Sequence, residues 1–199
     1  MSVSNPGGKT SSGMVLTVTA PIVAPAITTL SPSPMSGSNA AQTLTINGSG
    51  FLAGLKLSIG GSLITAAQLA VLTPTQIQVS IVTGITARTY AVQVVNANGG
   101  VSNVVNLQVN AAPVPTITSL TPNPMTHSTG VQTLTVNGTN FQSGLKVTVG
   151  SASYSGSQIT AVSATQIKVL VTLASASSMA VTVANPSGAV SNLASLAVK

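Results

Sequence analysis

Acidic residues are missing from this chain altogether. Its 199 residues include six lysines or arginines, one histidine and no aspartate or glutamate. A soluble domain is about 25% charged, which would give roughly two dozen acids in a chain of this length; here the charged share is 3%. Without carboxylates there is no Ca²⁺ cage of the usual kind, no paired-carboxylate glycoside hydrolysis and no acid for a Ser-His-Asp triad. The Lys–Asn isopeptide crosslinks of some surface adhesins are excluded too, because they need a neighbouring carboxyl group. Cysteine is also absent, which removes disulfides, thiolate metal sites and cysteine nucleophiles together. Tryptophan is absent and aromatics make up only 2%. A membrane-spanning helix needs about 20 consecutive apolar residues, and polar residues or glycine interrupt every apolar run here. The opening MSVSNPGGKTSSG lacks the basic start and apolar stretch of a secretory leader, so an export signal is expected to lie outside residues 1–199. The sequence therefore implies no enzyme, no cofactor and no metal.

The missing acids carry a prediction. Acid unfolding mostly reflects carboxylates that must take up protons, and this chain has no side-chain carboxylate to protonate. Its unfolding midpoint is expected to move by less than about 3 °C between pH 3 and pH 6. Calorimetry across that range checks it, and a steep fall on acidification would refute it.

What the chain does contain is repetition. PAITTLSPSPM at Pro25–Met35 returns as PTITSLTPNPM at Pro115–Met125, about 90 residues on. QTLTINGSGF ending at Phe51 returns as QTLTVNGTNF ending at Phe141, Gly54-Leu55-Lys56 as Gly144-Leu145-Lys146, and Thr75-Gln76-Ile77 as Thr165-Gln166-Ile167. A third, partial copy stands at the start: VSNPGGKTSS around Asn5 matches VVNANGGVSN around Asn96 and VANPSGAVSN around Asn185. The organisation read from this is a closing hairpin of a preceding repeat at residues 1–20, then repeats at 21–111 and 112–199.

Within each repeat the hydrophobic period is two, the mark of half-buried strands. Leu44 and Ile46, then Leu55, Leu57 and Ile59, then Ile77, Val79 and Ile81 alternate with polar residues, and the second repeat follows suit. Turn clusters punctuate the runs: Ser31-Pro32-Ser33-Pro34, Asn47-Gly48, Gly60-Gly61 and Asn98-Gly99-Gly100, each rich in residues that fix φ or tolerate positive φ. About seven short strands per repeat is the pattern of a β-sandwich. The fold expected is all-β, a tandem of immunoglobulin-like sandwiches.

The L-x-P-x-P opening, the Q-T-L-T-[IV]-N-G-[ST]-x-F segment and the closing [AV]-N-P-x-G-x-x-S-N hairpin resemble IPT/TIG domains. That resemblance implies an early-set immunoglobulin-like sandwich and contexts from bacterial surface proteins to plexin-type receptors and Rel-type transcription factors. Function does not follow from such a fold.

The connections Ala20-Pro21-Ile22-Val23-Ala24-Pro25 and Ala111-Ala112-Pro113-Val114-Pro115 are short and proline-bearing, which favours semi-rigid spacing over free tumbling. In the N-terminal hairpin, Met1, Val3, Met14, Leu16 and Val18 stand at the positions of Val92, Val94, Val105, Leu107 and Val109. A lone hairpin is marginal in water, so these five residues are candidates for an assembly contact. They meet either the rest of their own repeat, in a longer array, or a neighbouring chain by strand complementation.

Other motifs reduce to structure. Gly8-Lys9-Thr10 looks like the end of a phosphate loop, but Val3 stands where that motif needs its first glycine, and a hairpin turn explains it. His127 is the only histidine and has no second ligand type nearby. The six cationic residues are too scattered for phosphate neutralisation, so no nucleic-acid partner is expected. Asn47-Gly48-Ser49 and Asn137-Gly138-Thr139 fit the N-glycosylation pattern but coincide with the repeat's turn chemistry, which explains them without a sugar. Phe51 and Phe141 occupy equivalent core positions, whereas Tyr154 has no aromatic counterpart and is expected to be an exposed ring. Tyr154 and Lys146 are thus the candidate ligand contacts.

These readings lead to one functional expectation: a non-catalytic structural repeat protein of the bacterial exterior or cell surface. It forms a stalk or filament through self-association or neighbouring repeats. Two alternatives stand beside it, a module binding a surface glycan or protein, and accessory domains of a larger secreted enzyme.

Overall fold

The computed structural model describes residues 2–15 and 22–199. The first domain begins with β1 (Ala26–Ser31), β2 (Met35–Ser36) and β3 (Gln42–Ser49), continues through β4 (Lys56–Ile59), β5 (Ser62–Thr65), β6 (Leu69–Leu72) and β7 (Gln76–Ile81), and closes with β8 (Arg88–Val95) and β9 (Val105–Asn110). One sheet has the order β1-β3-β7-β6 and the other β2-β9-β8-β4-β5. Pairing is antiparallel except for β2 on β9, where Met35 lies beside Val109. The second domain comprises β10 (Thr116–Thr121), β11 (Ser128–Thr139), β12 (Lys146–Val149), β13 (Ala152–Tyr154), β14 (Ile159–Val162), β15 (Gln166–Leu173), β16 (Ser177–Ala184) and β17 (Ala194–Val198). Its sheets, β10-β11-β15-β14 and β13-β12-β16-β17, repeat the first domain's order, with a Met125–Val198 parallel bridge in place of β2.

The period-two pattern places the core. In the first domain Leu44, Ile46, Ile77 and Val79 point from one sheet toward Leu57, Val92, Val94 and Leu107 of the other, and all eight are buried. Leu134, Val136, Ile167 and Val169 face Val147, Val181, Val183 and Leu196 in the same way. Opposed inner faces of two sheets give the usual sandwich core. Each domain has more strands among its described residues than the seven expected. The connection after β5, like that after β13, makes a single 3₁₀ turn before the chain joins the other sheet as β6 or β14, and β2 is a two-residue addition.

Gly60 and Gly61, at φ 57° and 87°, form the β4–β5 turn as read from the sequence. Asn47-Gly48 does not turn, and neither does Asn137-Gly138: both pairs lie inside the long strands β3 and β11. Their glycines serve close approach. Beside each, the register with β1 or β10 shifts by one residue, between Ile27 and Thr29 or between Ile117 and Ser119. There the neighbouring backbone passes so near that a side chain on Gly48 would strike the Ala26 carbonyl oxygen, and one on Gly138 the Thr116 oxygen. The asparagines are committed as well: Asn47 Nδ2 donates to Thr29 Oγ1 at 3.1 Å and its Oδ1 accepts from Gln76 Nε2 at 3.1 Å. Asn137 is bonded in the same manner to Ser119 and Gln166.

Candidate functional site at the joint and the closing turns

The chain leaves the first domain through Asn110 and enters the second at Thr116, and each end of the connection is tied down. Gly37 donates its N–H to the Asn110 carbonyl at 2.8 Å, and Ala112, only 4% exposed, donates to Ile85 O at 2.8 Å. Ala112 is therefore part of the first domain's packing. On the other side, Asn185 Nδ2 donates to Pro113 O at 3.2 Å, and Asn140 Nδ2 to Val114 O at 2.9 Å. The two domains also touch directly: the Asn39 N–H donates to Ser187 O at 2.8 Å, and the adjacent Gly188 leaves room for the Asn39 side chain, whose Nδ2 a Cβ there would approach to 2.8 Å. Proline at 113 and 115 fixes φ between these anchors.

The asparagine that reaches the joint is one of a pair. Asn96 and Asn185, both 3% exposed, open the closing turns of the two domains. Asn96 Oδ1 accepts from Leu52 N at 3.1 Å and its Nδ2 donates to Gly50 O at 2.7 Å, straddling buried Phe51. Asn185 does the same around Phe141, through Gln142 N at 3.2 Å and Asn140 O at 2.8 Å. Each amide thus satisfies a loop backbone that no strand reaches, as buried polar groups require. Asn103 and Asn192 act likewise on the first strand, each bonding both backbone groups of Ile27 or Ile117.

The candidate ligand contacts do not assemble. Tyr154 is 8% exposed and belongs to the second core, a correction to the exposed ring expected from the sequence. Its register opposite Val147 turns it inward at the position that half-buried Ile64 holds opposite Leu57, so a phenol stands in the second domain where the first has an aliphatic packed against the core. Lys146 is exposed, one residue before inward-facing Val147, and therefore lies on the other face of the sheet from Tyr154. Of the four aromatic rings, Tyr90 keeps the largest exposed part. Its OH donates to Thr83 O at 2.9 Å, the Arg88 guanidinium lies 5.8 Å from its centroid, and it walls a depression of about 250 Å³ with Ile59, Ile64 and Ile81. In the N-terminal hairpin Val3 and Met14 are exposed, while Met1, Leu16 and Val18 lie outside the described residues. His127 is exposed and its backbone N–H donates to Lys199 O. No helix among the described residues is long and apolar enough to cross a membrane.

The paired asparagines were visible in the sequence only as letters that recur in register. Nothing in their local pattern separates a buried clamp from a solvated turn residue.

No curated protein matches this chain. Among solved structures it is similar to a surface glycan-binding protein, SGBP-B, of the mixed-linkage glucan utilization locus of Bacteroides ovatus, at 20% identity and a TM-score of 0.37, over 100% of this chain and 51% of that one. It is also similar to SGBP-B from a xyloglucan utilization locus of Bacteroides uniformis, at 16% identity and a TM-score of 0.35, over 88% of this chain and 49% of that one. A third likeness is to the I9–I11 tandem of titin, at 12% identity and a TM-score of 0.40, over 89% of this chain and 65% of that one. The chain spans about half the length of the two glycan-binding proteins. The sequence model of the IPT/TIG domain matches residues 25–109 and again 115–198. The chain belongs to the IPT/TIG family, of which it carries two domains in tandem.

Proposed function

We propose that this tandem is a non-catalytic spacer of a bacterial cell-surface protein, a stalk segment that sets the distance and direction of whatever it is joined to. The observation that supports this reading is the joint. Hydrogen bonds hold the connection to the first domain through Ala112 and to the second through Asn185 and Asn140, and Asn39 bonds Ser187 across the boundary. A flexible tether needs none of these.

The absence of cysteine makes the test clean. Spin labels on Thr43→Cys and Thr133→Cys, both exposed positions on equivalent strands, report the interdomain distance by pulsed electron resonance. A single narrow distribution is expected, broadening when two glycines are inserted between Ala112 and Pro113. A broad distribution in the uninserted chain would sink the spacer reading.

The competing reading is recognition of a surface glycan or protein. For a glycan, Tyr90 and its depression replace Tyr154 as the contact to test, because sugars stack on exposed rings and the Tyr154 ring is buried. Affinity electrophoresis in gels containing mixed-linkage glucan or xyloglucan separates the two readings. Retardation abolished by Tyr90→Ala would favour binding; unchanged mobility leaves spacing as the role.

A further inference from the structure

The hairpin at residues 2–15 is built like the closing turns of the two complete domains, bond for bond. Asn5 N donates to Lys9 O, Gly8 N to Asn5 O, and Ser11 N to Val3 O, at 3.1, 3.0 and 2.9 Å. The same three bonds join Asn96 to Gly100, Gly99 to Asn96 and Ser102 to Val94, and again Asn185 to Ala189, Gly188 to Asn185 and Ser191 to Val183. The serine hydroxyl accepts from the facing valine N–H in all three: Ser11 from Val3, Ser102 from Val94, Ser191 from Val183. The turn glycine has positive φ each time, at 72°, 87° and 88° for Gly8, Gly99 and Gly188.

What differs is the far side. Val94 and Val183 are fully buried, whereas Val3 is 73% exposed. The Asn96 and Asn185 amides grip a loop across the sandwich, whereas Asn5 Oδ1 folds back on its own turn, accepting from Gly7 N and Lys9 N at 3.2 Å. The two complete copies therefore display the surface that the hairpin lacks: an inner sheet face for Val3, and a loop offering a backbone C=O and N–H on either side of a buried phenylalanine.

We propose that residues 2–15 belong to the closing hairpin of a third sandwich, and that their partner is an IPT/TIG-type sandwich body equivalent to residues 25–91 of the first domain. Docking swings the Asn5 amide from its own turn onto the partner's loop and buries Val3 against the partner's inner face. One clamp is weaker than in the complete domains, since Ser12 stands where Asn103 and Asn192 hold the first strand. This inference does not depend on how stiff the joint between the two complete domains is.

The experiment supplies the missing strands. A copy of residues 25–91, which in the first domain precede the equivalent hairpin, is fused directly before Met1 of the full chain. A control fusion carries residues 92–111 in place of 1–20. Amide exchange is followed at Val3, Asn5 and Ser11. In the chain as it stands these amides are expected to exchange nearly unprotected, since a lone hairpin is marginal; in the fusion they should slow by about 100-fold or more, as in a cooperative unit. Asn5→Ala in the fusion should forfeit at least about a tenfold share of that protection. If the control fusion folds but the amides of the 2–15 hairpin exchange as fast as before, the proposal is overturned. It is also overturned if protection appears but is indifferent to Asn5→Ala.

Discussion

Alanine at Gly138 is expected to unfold the second domain at temperatures where the first stays folded. The cause is steric and not conformational, since Gly138 is not among the glycines at positive φ. Beside it the β10–β11 register shifts by one residue, and a Cβ would overlap the Thr116 carbonyl oxygen and press on the Phe141 ring. A flexible side chain could give way, but a backbone carbonyl held in a sheet cannot move alone. Relief requires lifting β10, which carries the buried residues Ile117 and Leu120. Overpacking that shifts side chains costs about 1–3 kcal/mol; displacing a strand should exceed about 3 kcal/mol, against a total of about 5–10 kcal/mol for one such domain. For a domain of this size that is a fall in midpoint of at least about 12 °C. Gly130→Ala is the control in the same strand, because its Cβ would meet only Ser128 Oγ at 3.4 Å. Calorimetry should resolve one unshifted and one lowered transition for Gly138→Ala and almost no change for the control. A loss of under about 1 kcal/mol at Gly138 would mean the strands separate easily there.

That glycine also marks where reading the sequence succeeds and where it stops. Period-two alternation placed Leu134, Val136, Ile167 and Val169 on an inner face, because burial of one sheet face leaves no other arrangement of those residues. The Gly60-Gly61 turn was legible for a similar reason, being a local conformation that only certain residues adopt. Asn-Gly is ordinarily such a signal too, yet Asn47-Gly48 and Asn137-Gly138 run straight through strands. Their composition answers a neighbour some 20 residues away in sequence: the β1 or β10 backbone at the glycine, and Thr29 or Ser119 at the asparagine. Tyr154 was misplaced by comparison with its own repeat, since lacking an aromatic counterpart is no obstacle to occupying a core site when Ile64 fills the equivalent one. The joint was legible as two prolines and a short length. Its bonds were not, because Asn39–Ser187 and Asn185–Pro113 join residues far apart in the chain.

Asn185 ties the second domain's closing turn to the joint, so its removal should be felt in both. Asn185→Ala leaves Gln142 N–H, Asn140 C=O and Pro113 C=O without their partner in a site only 3% exposed. Each buried group left unsatisfied costs about 1–3 kcal/mol, with water recovering part of it, and a loss of about 2–4 kcal/mol is expected. Asn96→Ala should destabilise the first domain comparably, but Asn96 makes no bond to the connection between the two domains. The interdomain distance distribution should therefore widen for Asn185→Ala and stay narrow for Asn96→Ala. Asn185→Asp adds a test that this acid-free chain makes unusually clear. Protonated, the new carboxyl still accepts from Gln142 N–H and donates to one of the two carbonyls the amide bonded; ionised, it faces two carbonyl oxygens in a buried site, so its pKa in the folded state rises above the unfolded value of about 3.9. Between those two values the folded state binds more protons than the unfolded one, so stability is present below about pH 4 and falls as pH rises through the folded pKa. The parent protein, with no side-chain carboxylate, should show no such fall. A pH-independent Asn185→Asp protein would mean that the turn opens to water and that the clamp does not hold the joint.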